Sequence, residues 1–382
     1  MNNFFYNVSI AIPLRQAFTY HSDKRIPLGT RVAVKFGAKL KLGIILDETK
    51  QQGIQTKPIH QVLDDEPIFS AMELNILSWA SHYYHHPIGE VCHAFLPTSL
   101  RSVKTVMSID AFPLKADFET TNFTKILSDQ QTVAVKFLLK LQGFSPTLLY
   151  GVTGSGKTEV YMRCIQEQLL QDNSALLLAP EISLTPQLEL RLKEQFGDLV
   201  VLYHSKMTPA KRYQAWKKFR RGEARVLIGT RSAAMMPAPN LGLIIVDEEH
   251  DASYKQHEGF KFSARDLAIK RAQMLKIPII LGSATPSLRT LRSVEEKKFG
   301  IIKLTKRITK QNPPKFLILD INEAILTSGL APQAIEAIAA TLQQKKQAMI
   351  FINRRGFAPQ FICANCDWRA ICNSCESSLV FH

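Results

Sequence analysis

The sequence predicts an α/β chain: a parallel-sheet lobe, preceded by a β-rich module and followed by the start of a second α/β lobe. Three observations predict it. From Leu127 onward, short apolar runs alternate with amphipathic stretches, the pattern of a parallel sheet covered on both faces. A glycine-rich loop, Gly151-Val-Thr-Gly-Ser-Gly-Lys-Thr158, stands between one such run and a helical stretch, the context a phosphate-binding loop requires. Residues 4–46 instead alternate with a period of two, punctuated by Gly29, Gly37 and Gly43, which reads as strands and turns.

At 382 residues and 46% hydrophobic, the chain is long enough for two or three cores. Its 48 Lys and Arg against 33 Asp and Glu give a formal charge of +15. Such a balance favours a nucleic acid or an anionic membrane as partner. No apolar run approaches the roughly 20 residues of a membrane span. The start, Met1-Asn-Asn-Phe-Phe-Tyr6, lacks the basic-then-apolar order of a secretory signal, so a cytoplasmic location is expected. Of six cysteines, Cys363, Cys366, Cys372 and Cys375 form two C-x-x-C pairs, a spacing that suggests zinc rather than disulfides in a reducing compartment. Five residues separate the pairs, fewer than one four-thiolate site usually has.

In chain order, strands are expected at 8–12, 30–36 and 42–46. A helix follows from Ser70 to Tyr84, where Ser70 and Glu73 have capping-box spacing. His82, His85, His86 and His93 read as polar residues at a helix end beside Pro87, since no carboxylate or thiol pattern joins them. Residues 1–105 form a binding module, and 106–126, weakly patterned, a linker. The lobe spans 127–310, with strands at 148–150, 175–179, 199–202, 225–228, 241–246 and 277–281. Helices lie near 159–171, 183–196, 208–221, 263–276 and 286–298. Residues 311–382 open the second lobe, with strands at 315–319 and 348–352.

Ligands of such sheets bind at the carboxyl ends of the strands, and the motifs sit there. In the phosphate loop, backbone N–H groups of Gly151, Val152, Thr153, Gly154, Ser155 and Gly156 are placed to cradle a nucleotide. Lys157 reaches the β- and γ-phosphates and the Thr158 hydroxyl suits Mg²⁺. After the strand ending at Val246 comes Asp247-Glu-Glu-His250. There Asp247 suits the metal and Glu248 can take a proton from the attacking water. Ser283-Ala-Thr285 follows another strand and suits γ-phosphate sensing. Gly229-Thr-Arg-Ser-Ala233 follows a third, where Arg231 suits a phosphate. From Lys206 to Arg231 there are nine Lys or Arg and one acid, Glu223. Tyr254, Phe260 and Phe262, interleaved with Lys255 and Lys261, suit stacking on single-strand bases, though each ring could equally belong to the core.

Taken with Ala179-Pro-Glu-Ile-Ser-Leu-Thr-Pro-Gln187 and Phe351-Ile-Asn-Arg-Arg-Gly-Phe357, these motifs resemble the PriA (primosomal protein N′) family of replication-restart helicases. Those are superfamily-2, DEEH-box, 3′→5′ DNA helicases. The resemblance implies a RecA-like lobe with ATP and Mg²⁺ at Lys157, Thr158, Asp247 and Glu248, and a base-reading glutamine at Gln131 or Gln130. It implies that Ser283 and Thr285 couple hydrolysis to DNA, that Arg231 touches the DNA backbone, and that 254–262 is a DNA-sensing loop. The first module would bind a 3′ DNA end at Gln16-Ala-Phe-Thr-Tyr20, with Phe18 stacking and Thr19 where the family has an aspartate. Single-stranded and branched DNA, single-strand-binding protein and other primosome proteins would be its partners, and the chain a monomer. Two departures stand out. The 106–126 linker is too short for the family's winged-helix domain. The zinc region from 363 and the second lobe stop before the remaining C-x-x-C pairs and the arginine finger, so weak nucleotide binding and poor translocation are expected.

Overall fold

A computed structural model of the chain describes residues 4–50, 56–105, 118, 123–180, 186–308, 315–322, 325–351, 360–363, 365, 366, 368–375 and 377–379. It divides into two compact units, 1–311 and 312–382.

The first unit opens with a closed barrel. Strands β1 (Phe4–Ile10), β2 (Phe18–Ser22), β3 (Arg31–Phe36), β4 (Lys39–Thr49) and β5 (Lys57–Val62) join in the order β1-β2-β5-β3-β4. Tyr6, Val8, Tyr20, Val32, Val34 and Ile45 fill it. Strands β2 and β5 were not expected, because His21, Lys57, His60 and Gln61 break the apolar alternation. Closure explains them: a barrel has no free edge, so even polar strands are paired. Helix α1 (Ala71–Tyr83) starts at the expected capping box, Ser70 with Glu73. Helix α2 (Ile88–Ala94) follows.

Helix α3 (Asp129–Leu138) then leads into the parallel lobe. Its strands are β6 (Pro146–Gly151), β7 (Ser174–Leu178), β8 (Val200–Tyr203), β9 (Val226–Gly229), β10 (Leu241–Val246), β11 (Ile279–Ser283) and β12 (Gly300–Leu304). Between them run α4 (Lys157–Leu170), α5 (Pro186–Phe196), α6 (Pro209–Arg220), α7 (Ala264–Leu275) and α8 (Leu288–Glu295). The order across the sheet is β12-β6-β11-β10-β7-β9-β8, and every pairing is parallel. Only β12 escaped the sequence reading. It is a short edge strand, mostly half-buried, directly after α8.

Barrel module and lobe share one hydrophobic core. Ile44, Ile68, Phe69 and Leu77 cluster with Leu176, Ile244 and Leu267. Arg220 of α6 donates to the carbonyls of Ile68 (2.6 Å) and Pro67. By compactness, residues 1–311 are one unit that includes both barrel module and lobe. Within the module, Arg31 and Asp64 form an ion pair of 2.5 Å with neither side chain exposed. Arg31 also donates to Leu100 O (2.7 Å) and Thr105 O (3.1 Å).

In the second unit, α9 spans Pro332–Gln343. The expected strands at 315–319 and 348–352 are not formed over the described residues. Phe316, Leu317, Ile318 and Met349 are exposed, and a parallel strand persists only when paired and covered. Arg354 and Arg355 lie outside the described residues. No described helix is long and apolar enough to cross a membrane.

Candidate nucleotide site and nucleic-acid interface

Three adjacent strands, β6, β11 and β10, deliver the phosphate loop, the Ser-Ala-Thr loop and the acidic motif to one rim of the sheet. Gly154 and Gly156 have φ of +79° and +78°, the left-handed region that glycine enters at no steric cost. Lys157 opens α4, so its side chain lies over the positive end of a helix. Its Nζ donates to Gly151 O at 3.0 Å and lies 3.6 Å from Glu248 Oε1. A cavity of 470 Å³ is lined by residues 152–158 together with Lys125, Glu159, Arg191, Asp247, Glu248 and Ile308. Every expected catalytic and metal residue of the nucleotide site is therefore in one place.

Asp247 is held from several sides. Its N–H donates to Leu178 O (2.8 Å), its carbonyl accepts from Tyr254 Oη (2.5 Å), and its Oδ1 accepts from Tyr161 Oη (2.9 Å). Burial pushes its carboxyl above the ordinary carboxylate range; Tyr161 and Lys157 oppose that, and Glu248 adds to it. Glu248 has a φ of +43°, an uncommon conformation for a residue with a side chain and one that recurs at functional sites.

The residues fit a magnesium nucleotide. The Ser155 hydroxyl is buried in the loop with no hydrogen-bond partner among the described residues. Two cations, Lys125 and Arg191, stand at the mouth, paired with buried Glu159. Thr158 and Asp247 supply the hard oxygen donors Mg²⁺ prefers.

His250 joins the acidic motif to the next loop, with Nδ1 2.8 Å from Ser283 Oγ and Nε2 3.2 Å from Thr285 Oγ1. Its Nδ1 is also 3.7 Å from Glu248 Oε2. One imidazole thus bridges the acidic motif and the Ser283–Thr285 loop. Glu249 anchors the same loop. It accepts from Ser287 N (2.7 Å) and Thr290 Oγ1 (2.9 Å), and pairs with Arg265 (2.7 Å). Sequence reading gave Glu249, His250 and Tyr161 no role. The first two lay in a visible motif; for Tyr161, a tyrosine on the buried face of an amphipathic helix, no sequence signal existed.

Several expectations are corrected. The Gln131 amide, expected at a nucleobase, is engaged within the protein. Its Oε1 accepts from Ser128 N and its Nε2 donates to Ser155 O and Gly156 O. It closes the capping box of α3 and braces the phosphate loop, so both ends of its amide are taken. Gln130 is engaged by Thr305 and Lys306. Tyr254, Phe260 and Phe262 are buried, not free to stack on bases. Tyr254 holds Leu178 O and Asp247 O. Phe260 and Phe262 stack at 4.9 Å and pack on Tyr84 and Phe95 of the barrel module. Core packing wins because the module supplies an apolar partner surface. Arg231 donates through Nη1 to Ser253 O (3.3 Å) and Lys255 O (3.0 Å), anchoring this loop. Lys255 and Lys261 are exposed. The cysteine pairs do not converge: no group of three or more metal-ligating side chains occurs among the described residues. Instead Cys363 N donates to Trp368 O and Cys372 N to Ser377 O, in two separate tight turns.

A second cavity, of 490 Å³, opens on the barrel. It is lined by Gln16 to Tyr20, Lys35, Phe36, Gly37, Thr56 and Lys57. Phe18 stands edge-on to Phe36 at 5.0 Å. The Thr19 hydroxyl donates to Asn7 Oδ1, and Asn7 Nδ2 donates to Asp47. A carboxylate is thus only reached through Asn7.

Fold and site define a P-loop motor lobe of the DEAD/DEAH-box helicase class, and residues 128–294 match the DEAD/DEAH box helicase family. Residues 7–97 match the 3′DNA-binding domain of PriA. Replication restart protein PriA of Haemophilus influenzae is 32% identical over 98% of this chain and 62% of its own length. The Rickettsia conorii protein of that name is 34% identical over 94% and 55%. The chain therefore belongs to the PriA family and corresponds to its N-terminal part. It spans 55–62% of these two relatives. The Haemophilus alignment runs over 451 positions, more than this chain has residues, whereas the Rickettsia one runs over 368. Among solved structures, RecG bound to a three-way DNA junction is 21% identical over 50% of this chain and 25% of that one, with a TM-score of 0.37.

Proposed function

We propose that the chain is the N-terminal part of an ATP-dependent 3′→5′ DNA helicase that acts in replication restart at stalled or branched forks. The observation that carries this reading is the single cavity joining Lys157, Asp247 and Glu248, tied through His250 to Ser283 and Thr285. In it, Lys157 leaves Gly151 O to neutralise the β- and γ-phosphates. Glu248 accepts the proton of the water that attacks the γ-phosphorus as the bond to the β-phosphate oxygen breaks and ADP leaves. Bound Mg²⁺, held by Thr158 and Asp247, would neutralise charge developing on those oxygens. His250 reports the change in charge to Ser283 and Thr285.

Phe18, Lys35 and Lys57 support capture of a single-strand 3′ end at the barrel cavity, and Lys255, Lys261 and the basic 206–231 segment support contact with the strand beyond it. Thr19 in the place of an aspartate argues against strong reading of the terminal base. The shortness of 106–126 supports the reading of this segment as a linker without a winged-helix domain. Single-strand-binding protein and primosome proteins are the protein partners this reading implies, in the cytoplasm, with the chain a monomer. Zinc at Cys363, Cys366, Cys372 and Cys375 belongs to the reading only as thiols that need ligands from elsewhere.

A second reading is a DNA-end-binding protein without motor activity, favoured by the barrel cavity standing apart from the nucleotide cavity. Unwinding of a fork with a 3′ single-strand tail separates the two. The helicase reading expects ATP-dependent unwinding that Lys157→Ala abolishes. Salt-sensitive DNA binding with no ATP-dependent unwinding supports the second.

A further inference from the structure

We infer that Tyr161 is a positioning residue for Asp247 and sets the affinity of the site for magnesium. The inference rests on the reading above, that the cavity takes a magnesium nucleotide. Tyr161 lies one helical turn after Lys157 on α4 and is 1% exposed. Its hydroxyl is 2.9 Å from Asp247 Oδ1. A phenol donates one hydrogen bond, so it engages one carboxylate oxygen, and the Glu248 backbone also hydrogen-bonds the carboxylate. The terminal torsion of a carboxylate is broad. A fully buried ring has no such freedom, and it fixes the carboxylate through that contact.

The sheet is built to admit this hydroxyl. Gly282 of β11 faces it, and a Cβ there would stand 1.6 Å from Tyr161 Oη and 3.2 Å from Asp247 Oδ1. Any larger residue would push the phenol off the carboxylate. Meanwhile the Asp247 backbone is held at both ends, by Leu178 and Tyr254. Tyr161 is the side chain that hydrogen-bonds the carboxylate from the neighbouring helix. The same helix thus carries the phosphate-binding lysine and the group that aligns the metal-binding acid. Phosphate binding and metal binding are joined through four residues of one helix.

A buried tyrosine needs some partner for its hydroxyl, so a purely structural role predicts something different. The test uses the whole chain and fluorescence of N-methylanthraniloyl-ADP, which reads binding without turnover. In Tyr161→Phe, the Mg²⁺ concentration for half-maximal binding should rise about tenfold or more, as removal of a group orienting a metal ligand does. Affinity measured in EDTA should stay within about twofold of wild type, as expected when no nucleotide contact is lost. Gly282→Ala, which keeps the tyrosine but displaces its hydroxyl, should show the same magnesium defect. Equal magnesium dependence in Tyr161→Phe and wild type overturns the inference. So does an equal loss with and without Mg²⁺, which is what packing alone produces. Wild-type binding that ignores both Mg²⁺ and Lys157→Ala overturns the nucleotide-site reading and this inference with it.

Discussion

Replacing Phe260 with alanine decides whether the aromatic loop is core or interface. The ring is 4% exposed. It stacks on Phe262 at 4.9 Å and meets Tyr84, His86 and Phe95 at 5.7, 5.1 and 6.0 Å. Removing a buried phenylalanine costs about 3–5 kcal/mol, through lost transfer energy and the cavity left behind. The loss sits where barrel module and lobe share their core, so the first unit should be destabilised as a whole. At roughly 2–3 °C per kcal/mol for a unit of this size, the melting temperature should fall by about 10 °C. Phe260→Leu, which refills most of the space, should fall much less. Thermal melting by circular dichroism reads the first effect, and nucleic-acid-stimulated ATP hydrolysis below the transition reads function. An unchanged melting temperature with a selective loss of stimulation would refute the packing argument and return Phe260 to the DNA surface.

Three further outcomes are expected. Gln131→Ala should weaken ATP and GTP binding alike, because the side chain braces the phosphate loop; a loss confined to ATP, measured by competition, would put the glutamine on the base. Asp64→Ala strands the buried Arg31 guanidinium and should cost about 3–5 kcal/mol in denaturant unfolding; a cost under about 1 kcal/mol, that of an exposed pair, would mean the site is hydrated. Burial pushes the thiols of Cys92 and Cys164 up to about 12. A raised thiol pKa keeps the group protonated and unreactive, so from pH 7 to 9 iodoacetamide should label the other four cysteines and spare these two. Half-buried Cys363 and exposed Cys375, whose thiols are held below their ordinary value by hydrogen bonds, should react first. Mass spectrometry of the digested chain shows which thiols are modified.

The parallel lobe was largely legible because its strands are buried on both faces, and burial writes itself as unbroken apolar runs. The phosphate loop, Asp247 and Glu248 were legible because chemistry fixes their residue types and spacing. Strands β2, β5 and β12 were not. β2 and β5 are completed by barrel closure, so pairing rather than composition makes them strands, and β12 is a five-residue run at the sheet edge. Gln131 and the 254–262 aromatics show a different limit. Sequence names groups capable of a contact but not the competing contact that takes them, here a capping box and a neighbouring module. Tyr161 was invisible because its partner lies 86 residues away.

The shared core has a consequence for movement. Swivelling the barrel against the lobe would part Tyr84 and Phe95 from Phe260 and Phe262, and would break the Arg220 carbonyl clasp. The two cavities therefore stand at a fixed gauge from one another. A strand whose end is seated in the barrel would be measured off against the motor like stock against a stop, with the same length of polymer spanning the gap each time.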